Sequence, residues 1–290
     1  MKNDLKVPIT IESWEQAQRK LFDDGWNGEI NRYRPNYAFR GHTEEYGTLP
    51  TSLNRLGGNE EDGWNQDHGA RMEENLLRNF IKYAEDRTLS EKSIWHQLSV
   101  AQHYGLPTRI LDWTYSPLVA LHFATEDMGK LGQDGIVWRV DYSKAHQRLN
   151  SEWTDDMGGD LFSITELTDR EITSYKHLKT KFDQGDVGGP VFFEPPSLDG
   201  RIVNQYGLFS VLPDASVRFD EWLIEHPELY ERYRIPKGVK MEIRDKLDAS
   251  NITERVLFPG LGGLADWLQR YYTEIDADKT NSPEKIYGDE

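Results

Sequence analysis

The chain has 290 residues, 50 of them acidic against 34 lysines and arginines, for a formal net charge of −16, and it has no cysteine. That length admits one large domain or two small ones with a real core. The acidity argues against a broad electrostatic grip on nucleic acid, and the missing cysteines exclude disulfides, thiolate zinc sites and cysteine nucleophiles. No apolar run approaches the ~20 residues that cross a bilayer. Met1 to Asp4 leads into a polar amphipathic stretch without a signal-peptide core, so a cytoplasmic protein is expected.

In chain order, Trp14, Ala17, Leu21 and Phe22 space a helix within Ile11 to Asp24, and Tyr37-Ala38-Phe39 predicts a strand. The glycine-rich polar run Gly57 to His68 reads as an exposed loop. Met72, Leu76, Leu77, Phe80, Ile81 and Ala84 recur at helical spacing and predict a helix over Ala70 to Glu85. A second helix is expected from Glu91 to Tyr104, stopped by Gly105 and Pro107. Arg109 to Trp113 reads as a short strand, and Pro117 opens a helix through Ala124. Strands are expected at Ile136–Tyr142, Val191–Phe193 and Tyr206–Leu212. The polar stretch between Ser151 and Gly188 reads as helix plus loop facing solvent. Helices at Val239–Leu247 and Gly263–Tyr272 flank a sharp turn at Phe258-Pro259-Gly260, and the acidic end reads as a frayed tail. Neither repeats nor a dividing linker are visible. Interspersed strands and helices point to the α+β class, a single domain with a mixed β core and surrounding helices.

Three blocks hold the residues suited to chemistry. In the first, Arg40 follows Phe39 at a strand end and precedes Gly41; a guanidinium there can fork onto phosphate oxygens while glycine admits a ligand close to the backbone. The second, Gln102 to Thr114, sets His103, Arg109, Asp112 and two threonines in an apolar frame. As a cluster these suit an anionic, ribose-bearing ligand near the helix that starts at Pro117. Taken singly, they also fit an Arg109–Asp112 ion pair with Thr114 or Ser116 capping that helix. In the third, Asn204 and Gln205 precede a strand, where an amide can orient ribose hydroxyls or close a loop. Glu73 and Glu74 read as solvated helix glutamates. None of the eight histidines has metal-ligand spacing, so no metal is expected.

The order of these motifs resembles the bacterial FRG domain. It starts with Phe39-Arg40-Gly41, Leu49-Pro50-Thr51-Ser52-Leu53 with Arg55, and the glutamate-bearing helix. AQHYGLPTRILDWTYSPLVALHFA (101–124), RIVNQYGLF (201–209) and LFPGLGGLADWL (257–268) follow. The resemblance implies an FRG domain over residues 31–272, preceded by an N-terminal helical segment at 1–30 and followed by an acidic flexible tail at 273–290. A more distant resemblance, to toxin-type ADP-ribosyltransferases, rests on Arg40-Gly41, Thr114-x-Ser116 and Gln205 in that order. It implies a β core of that type and NAD as the substrate. Arg40, Thr114, Ser116 and Gln205 would then be catalytic, and Arg40, Gly41, His103 and Arg109 would contact the dinucleotide. Arg40 would hold the NAD phosphates or the nicotinamide-side ribose, and the Gly41 backbone the nicotinamide amide.

Transferases of this type use a glutamate where this chain has Gln205; Glu73 or Glu194 would be the substitute acids. The expected protein is a bacterial toxin or antiphage component that modifies an intracellular RNA, DNA or protein, with an antitoxin or regulatory protein as a possible partner and no membrane. An NAD glycohydrolase and a non-catalytic nucleotide- or partner-binding module are the alternatives.

Overall fold

The computed structural model describes residues 4–45, 48–57, 64–84, 89–90, 92–154, 160–197 and 200–273. Its frame is one seven-stranded sheet with a separate two-stranded ribbon. In chain order the strands are β1 (Ile9–Thr10), β2 (Trp26–Asn27), β3 (Arg32–Tyr33), β4 (Tyr37–His42), β5 (Leu111–Thr114), β6 (Gly135–Asp141), β7 (Val191–Phe193), β8 (Gly207–Val211) and β9 (Tyr230–Ile235). The large sheet runs β1-β9-β6-β4-β5-β8-β7, and β2 pairs with β3. Only the β1–β9 pair in the large sheet is parallel, which makes the sheet mixed.

The helices are α1 (Trp14–Leu21), α2 (Ser52–Gly57), α3 (Gln66–Tyr83), α4 (Ile94–His103), α5 (Pro117–Thr125), α6 (Tyr142–His146), α7 (Ser151–Thr154), α8 (Ile164–Asp169), α9 (Tyr175–His177), α10 (Gly200–Asn204), α11 (Phe219–Ile224), α12 (Lys237–Ala249), α13 (Glu254–Leu257) and α14 (Leu261–Tyr271). None is long and apolar enough to cross a membrane.

Strand alternation sorts the core into three clusters. On one sheet face Ala38, Leu111, Trp113, Trp138, Leu208 and Tyr230 pack with Phe219 and Leu223 of α11. On the other face, Phe39, Val137 and Tyr233 meet α1, α5 and α12 through residues such as Ala17, Leu121 and Ile243. Register places Thr114 opposite Phe39 and Asp112 opposite Phe209, so Phe209 shares the face of Phe39. Phe209 nevertheless belongs to a separate cluster under α3, α4 and α8, with Leu77, Trp95, Leu98 and Leu167. Two apolar layers thus cover one face and part along β5, whose Asp112 and Thr114 are polar where its neighbours are phenylalanine.

Four expectations change. The stretch from Ser151 to Gly188 does not face solvent: among its described residues Trp153, Phe162, Leu167, Leu178 and Phe182 are buried core. Its apolar residues are spread over short helices and turns, so no single period runs through them. Strand β5 starts at Leu111, two residues later than expected, because the preceding amides are engaged elsewhere. Arg109 N–H donates to Glu73 Oε1 (2.7 Å) and Ile110 N–H to Thr108 Oγ1 (3.2 Å). The expected loop Gly57 to His68 lies partly outside the described residues, and its end is already helical: Asn65 caps α3 by accepting from His68 N–H. Strands β1, β2, β3 and β9 went unrecognised. In β9 the Arg232 guanidinium lies 4.8 Å from the centroid of the Trp138 ring, so a charged residue packs as core. The tail expected at 273–290 lies outside the described residues apart from Thr273.

Candidate functional site

The cleft opens where the sheet splits. Strands β4 and β5 share a single residue pair, Phe39 with Thr114, whereas β4 pairs with β6 over six residues. Beyond Phe39, the segment Arg40-Gly41-His42 lines one wall of a cleft of about 350 Å³, and Gln102, His103 and Asp112 line the other. Arg201 and Gln205 close it on a third side, and Phe123 and Phe209 add aromatic surface. The volume falls in the range of small-molecule sites, about 300–1,000 Å³. Residues from all three sequence blocks therefore meet in one place.

Arg40 spans the split. Its Nη1 donates to the backbone carbonyl of Asp112, and its Nε donates to His42 Nε2 at 3.3 Å. Burial, with the nearby charges of Arg40 and Arg55, pushes the His42 pKa down to about 3, so the ring stays neutral and can accept that bond. Burial is the largest influence on Arg40 itself and lowers its pKa, with the Asp112 charge acting in the opposite direction. The opposite wall is fixed by Gln102 at the end of α4. Its Oε1 accepts from Thr108 Oγ1 (2.6 Å) and its Nε2 donates to Asp112 Oδ2 (2.6 Å). Gly105, at φ +82°, ends that helix in the left-handed region and puts His103 and Gln102 at the cleft.

Thr114 and Ser116 shape the corner between β5 and α5. Thr114 Oγ1 donates to the Gln205 carbonyl (2.7 Å) and accepts from Ser116 N–H (3.0 Å), while Ser116 Oγ caps α5 by accepting from Val119 N–H (3.3 Å). Thr114 lines the cleft; Ser116 does not. Gln205 also lines it, yet its Nε2 donates to the Leu257 carbonyl (3.1 Å) beside the Asn204–Val256 bond (2.7 Å). These two amides fasten α10 to α13. Arg201 faces the cleft with its guanidinium 5.0 Å from the centroid of the Phe258 ring.

Gly41 has a packing reason independent of any ligand. A Cβ there would stand 1.9 Å from the Ala120 carbonyl oxygen and 2.8 Å from Ala124 N. Helix α5 can lie on β4 only because residue 41 lacks a side chain.

Arg109 is not in the cleft. Only 2% exposed, it pairs through Nε with Glu73 Oε2 (2.6 Å) and through Nη1 with Asp183, and its Nη2 donates to the Tyr175 hydroxyl (3.0 Å). This corrects both the ligand-binding expectation for Arg109 and the alternative of an Arg109–Asp112 pair. Glu73 is fully buried rather than solvated, because α3 turns it toward the β5 approach, where the guanidinium compensates its charge. Glu194 accepts from the Tyr115 hydroxyl (3.1 Å) and does not line the cleft. The acids that do are Asp112 and Glu126, together with a histidine, His42, that the sequence reading passed over. The signal for Glu126 was its place two residues beyond the predicted helix, where nothing in the sequence distinguishes it from a solvated helix end. Among the described residues no cluster of three or more His, Asp or Glu could hold a metal ion.

No curated protein and no solved structure matches the chain. Residues 35–132, which carry Arg40, Gln102, Asp112, Thr114 and Glu126, match the family model of the FRG domain.

Proposed function

We propose that the cleft binds NAD and that the protein is an ADP-ribosyltransferase-like effector, a toxin or defence component, acting on an intracellular macromolecule. The observation that carries this reading is the split between β4 and β5. There a half-buried arginine, polar side chains from α4, β5 and α10, and aromatic surface converge from three distant parts of the chain on one cleft. Arg40 and Arg201 supply cations for a pyrophosphate, and Phe123 and Phe209 supply faces for planar rings. The reaction expels nicotinamide from a ribose that becomes oxocarbenium-like, and the cleft's contribution is preorganised charge and orientation.

The second reading, a binding module without turnover, is supported by the bonds that already engage Arg40 with Asp112 and Gln205 with Leu257. Incubation with NAD labelled in the adenylate moiety, with and without whole-cell lysate, separates them. Transfer of label to nuclease- or protease-sensitive material, with release of nicotinamide, is expected; saturable NAD binding without nicotinamide release establishes the second reading.

A further inference from the structure

We propose that Glu126 is the working carboxylate of this cleft, held beside the buried His122–Arg244 pair; the assignment rests on the NAD reading and names the acid that reading lacks. Glu126 follows the last residue of α5 and lines the cleft. Its Oε2 lies 3.3 Å from Nε2 of His122, a fully buried ring on the same helix. The other ring nitrogen, Nδ1, receives Nη2 of Arg244 at 2.9 Å, and Arg244 is itself fully buried and also donates to the Ile252 carbonyl (3.1 Å). Because the guanidinium can only donate, Nδ1 is an acceptor and the neutral ring carries its proton on Nε2, the nitrogen facing Glu126. Burial acts first, and the Arg244 charge next, to hold His122 below its ordinary pKa, against the pull of Glu126. The neutral ring therefore stands beside the carboxylate at 3.3 Å, not aligned for a hydrogen bond to it, and leaves its charge in place.

Behind Arg244 the charges are paired. Asp248 Oδ1 is 3.7 Å from Arg244 and is gripped by Arg270, which also binds Glu254. Arg244 and Arg270 are thus balanced by Asp248 of α12 and Glu254 of α13, two cations against two carboxylates, which leaves the Glu126 charge for the cleft. Asp112 differs. Its carboxylate accepts from Gln102 and stands beside Arg40, whose positive charge offsets it.

In the reaction, the C1′–N bond breaks and its electron pair leaves with the nicotinamide nitrogen, which loses its positive charge. The cation passes to the ribose C1′–O4′ unit, where a fixed carboxylate is stabilising. The lone pair of the acceptor then forms the new bond at C1′. Its proton goes to Glu126 and from there to solvent.

The test measures nicotinamide release and NAD affinity for wild type, Glu126→Gln, Glu126→Asp, Asp112→Asn and His122→Asn, with thermal melts for each. Glu126→Gln is expected to slow release by about 100-fold or more, with NAD affinity within about threefold of wild type and an unchanged melt. Glu126→Asp restores part of the rate, and His122→Asn lowers kcat about tenfold while leaving KM in place. Wild-type turnover with Glu126→Gln at more than half the rate, or loss in Asp112→Asn alone, overturns the assignment and leaves the NAD reading standing. A wild-type protein that neither binds nor consumes NAD overturns both.

Discussion

Replacing Glu73 with alanine tests whether the glutamate-bearing helix is fastened to the sheet by a buried charge cluster rather than presenting a solvated acid. Glu73 accepts from Arg109 N (2.7 Å), from Arg109 Nε (2.6 Å) and from the Tyr175 hydroxyl (2.9 Å), so the change leaves two donors of a buried arginine without their acceptor. Asp183 remains on the far side of the guanidinium, so the charge is not wholly abandoned. Removing one partner of a buried ion pair costs about 3–5 kcal/mol. In a domain of this size each kcal/mol moves the midpoint by about 2–4 °C, so the melting temperature should fall by roughly 6–20 °C. Tyr175→Phe removes a hydroxyl that donates to Glu73 and accepts from Arg109 Nη2, which keeps Asp183, and should cost less, about 1–3 kcal/mol. Circular-dichroism melts of both variants make the comparison. A Glu73→Ala protein melting within about 2 °C of wild type would refute the buried-cluster account.

Gly41→Ala should cost about 3 kcal/mol or more, since the new methyl meets the backbone of α5 rather than a mobile side chain. Gly262→Ala, with nothing within 4 Å of the added carbon, should be neutral or stabilising; equal melts for the two variants would contradict the packing assigned to residue 41. Acid should destabilise the fold through two histidines. His146 accepts from Phe192 N–H (2.8 Å) at Nε2, and its Nδ1 is 2.7 Å from the Asp160 carbonyl, an arrangement that needs a neutral ring. Burial lowers its pKa to about 4, and that of His42 to about 3. A folded pKa below the unfolded value means that the unfolded chain takes up the proton first. The stabilisation is complete above about pH 6.5 and is lost as pH falls toward the folded value, by about 2–3 kcal/mol per histidine at about pH 4.5. The fall in urea midpoint from neutral to acid pH should be smaller in His146→Gln than in wild type, and parallel curves would contradict the linkage.

The pieces of the fold that could be read from the chain are those whose apolar residues keep one period. α3, α5, β4, β6 and β8 came out within a few residues; in the strands alternate residues enter different core clusters, as Ala38 and Phe39, Trp138 and Val137, and Leu208 and Phe209 do. Strand β9 did not, since Arg232 and Arg234 alternate with tyrosine and the arginine stems pack where aliphatic residues are expected. The site was legible as motifs: Arg40, Gly41, His103, Thr114 and Gln205 all line the cleft. What each side chain does there was not legible. Arg109 and Glu73 are 36 residues apart in sequence, and nothing local says that they meet. The same holds for Glu126, His122 and Arg244, where a helix end comes to stand beside a buried pair only through an arginine 122 positions from the histidine.

The most direct test of the central claim is NAD turnover by wild type against Arg40→Ala, with Gln205→Ala alongside, in proteins shown by their melts to be folded. The account predicts release of nicotinamide by wild type in the presence of cell lysate, and a loss of about 100-fold or more when the guanidinium that spans the split is removed. Wild-type protein that leaves NAD intact, or Arg40→Ala that consumes it at the wild-type rate, would contradict the claim.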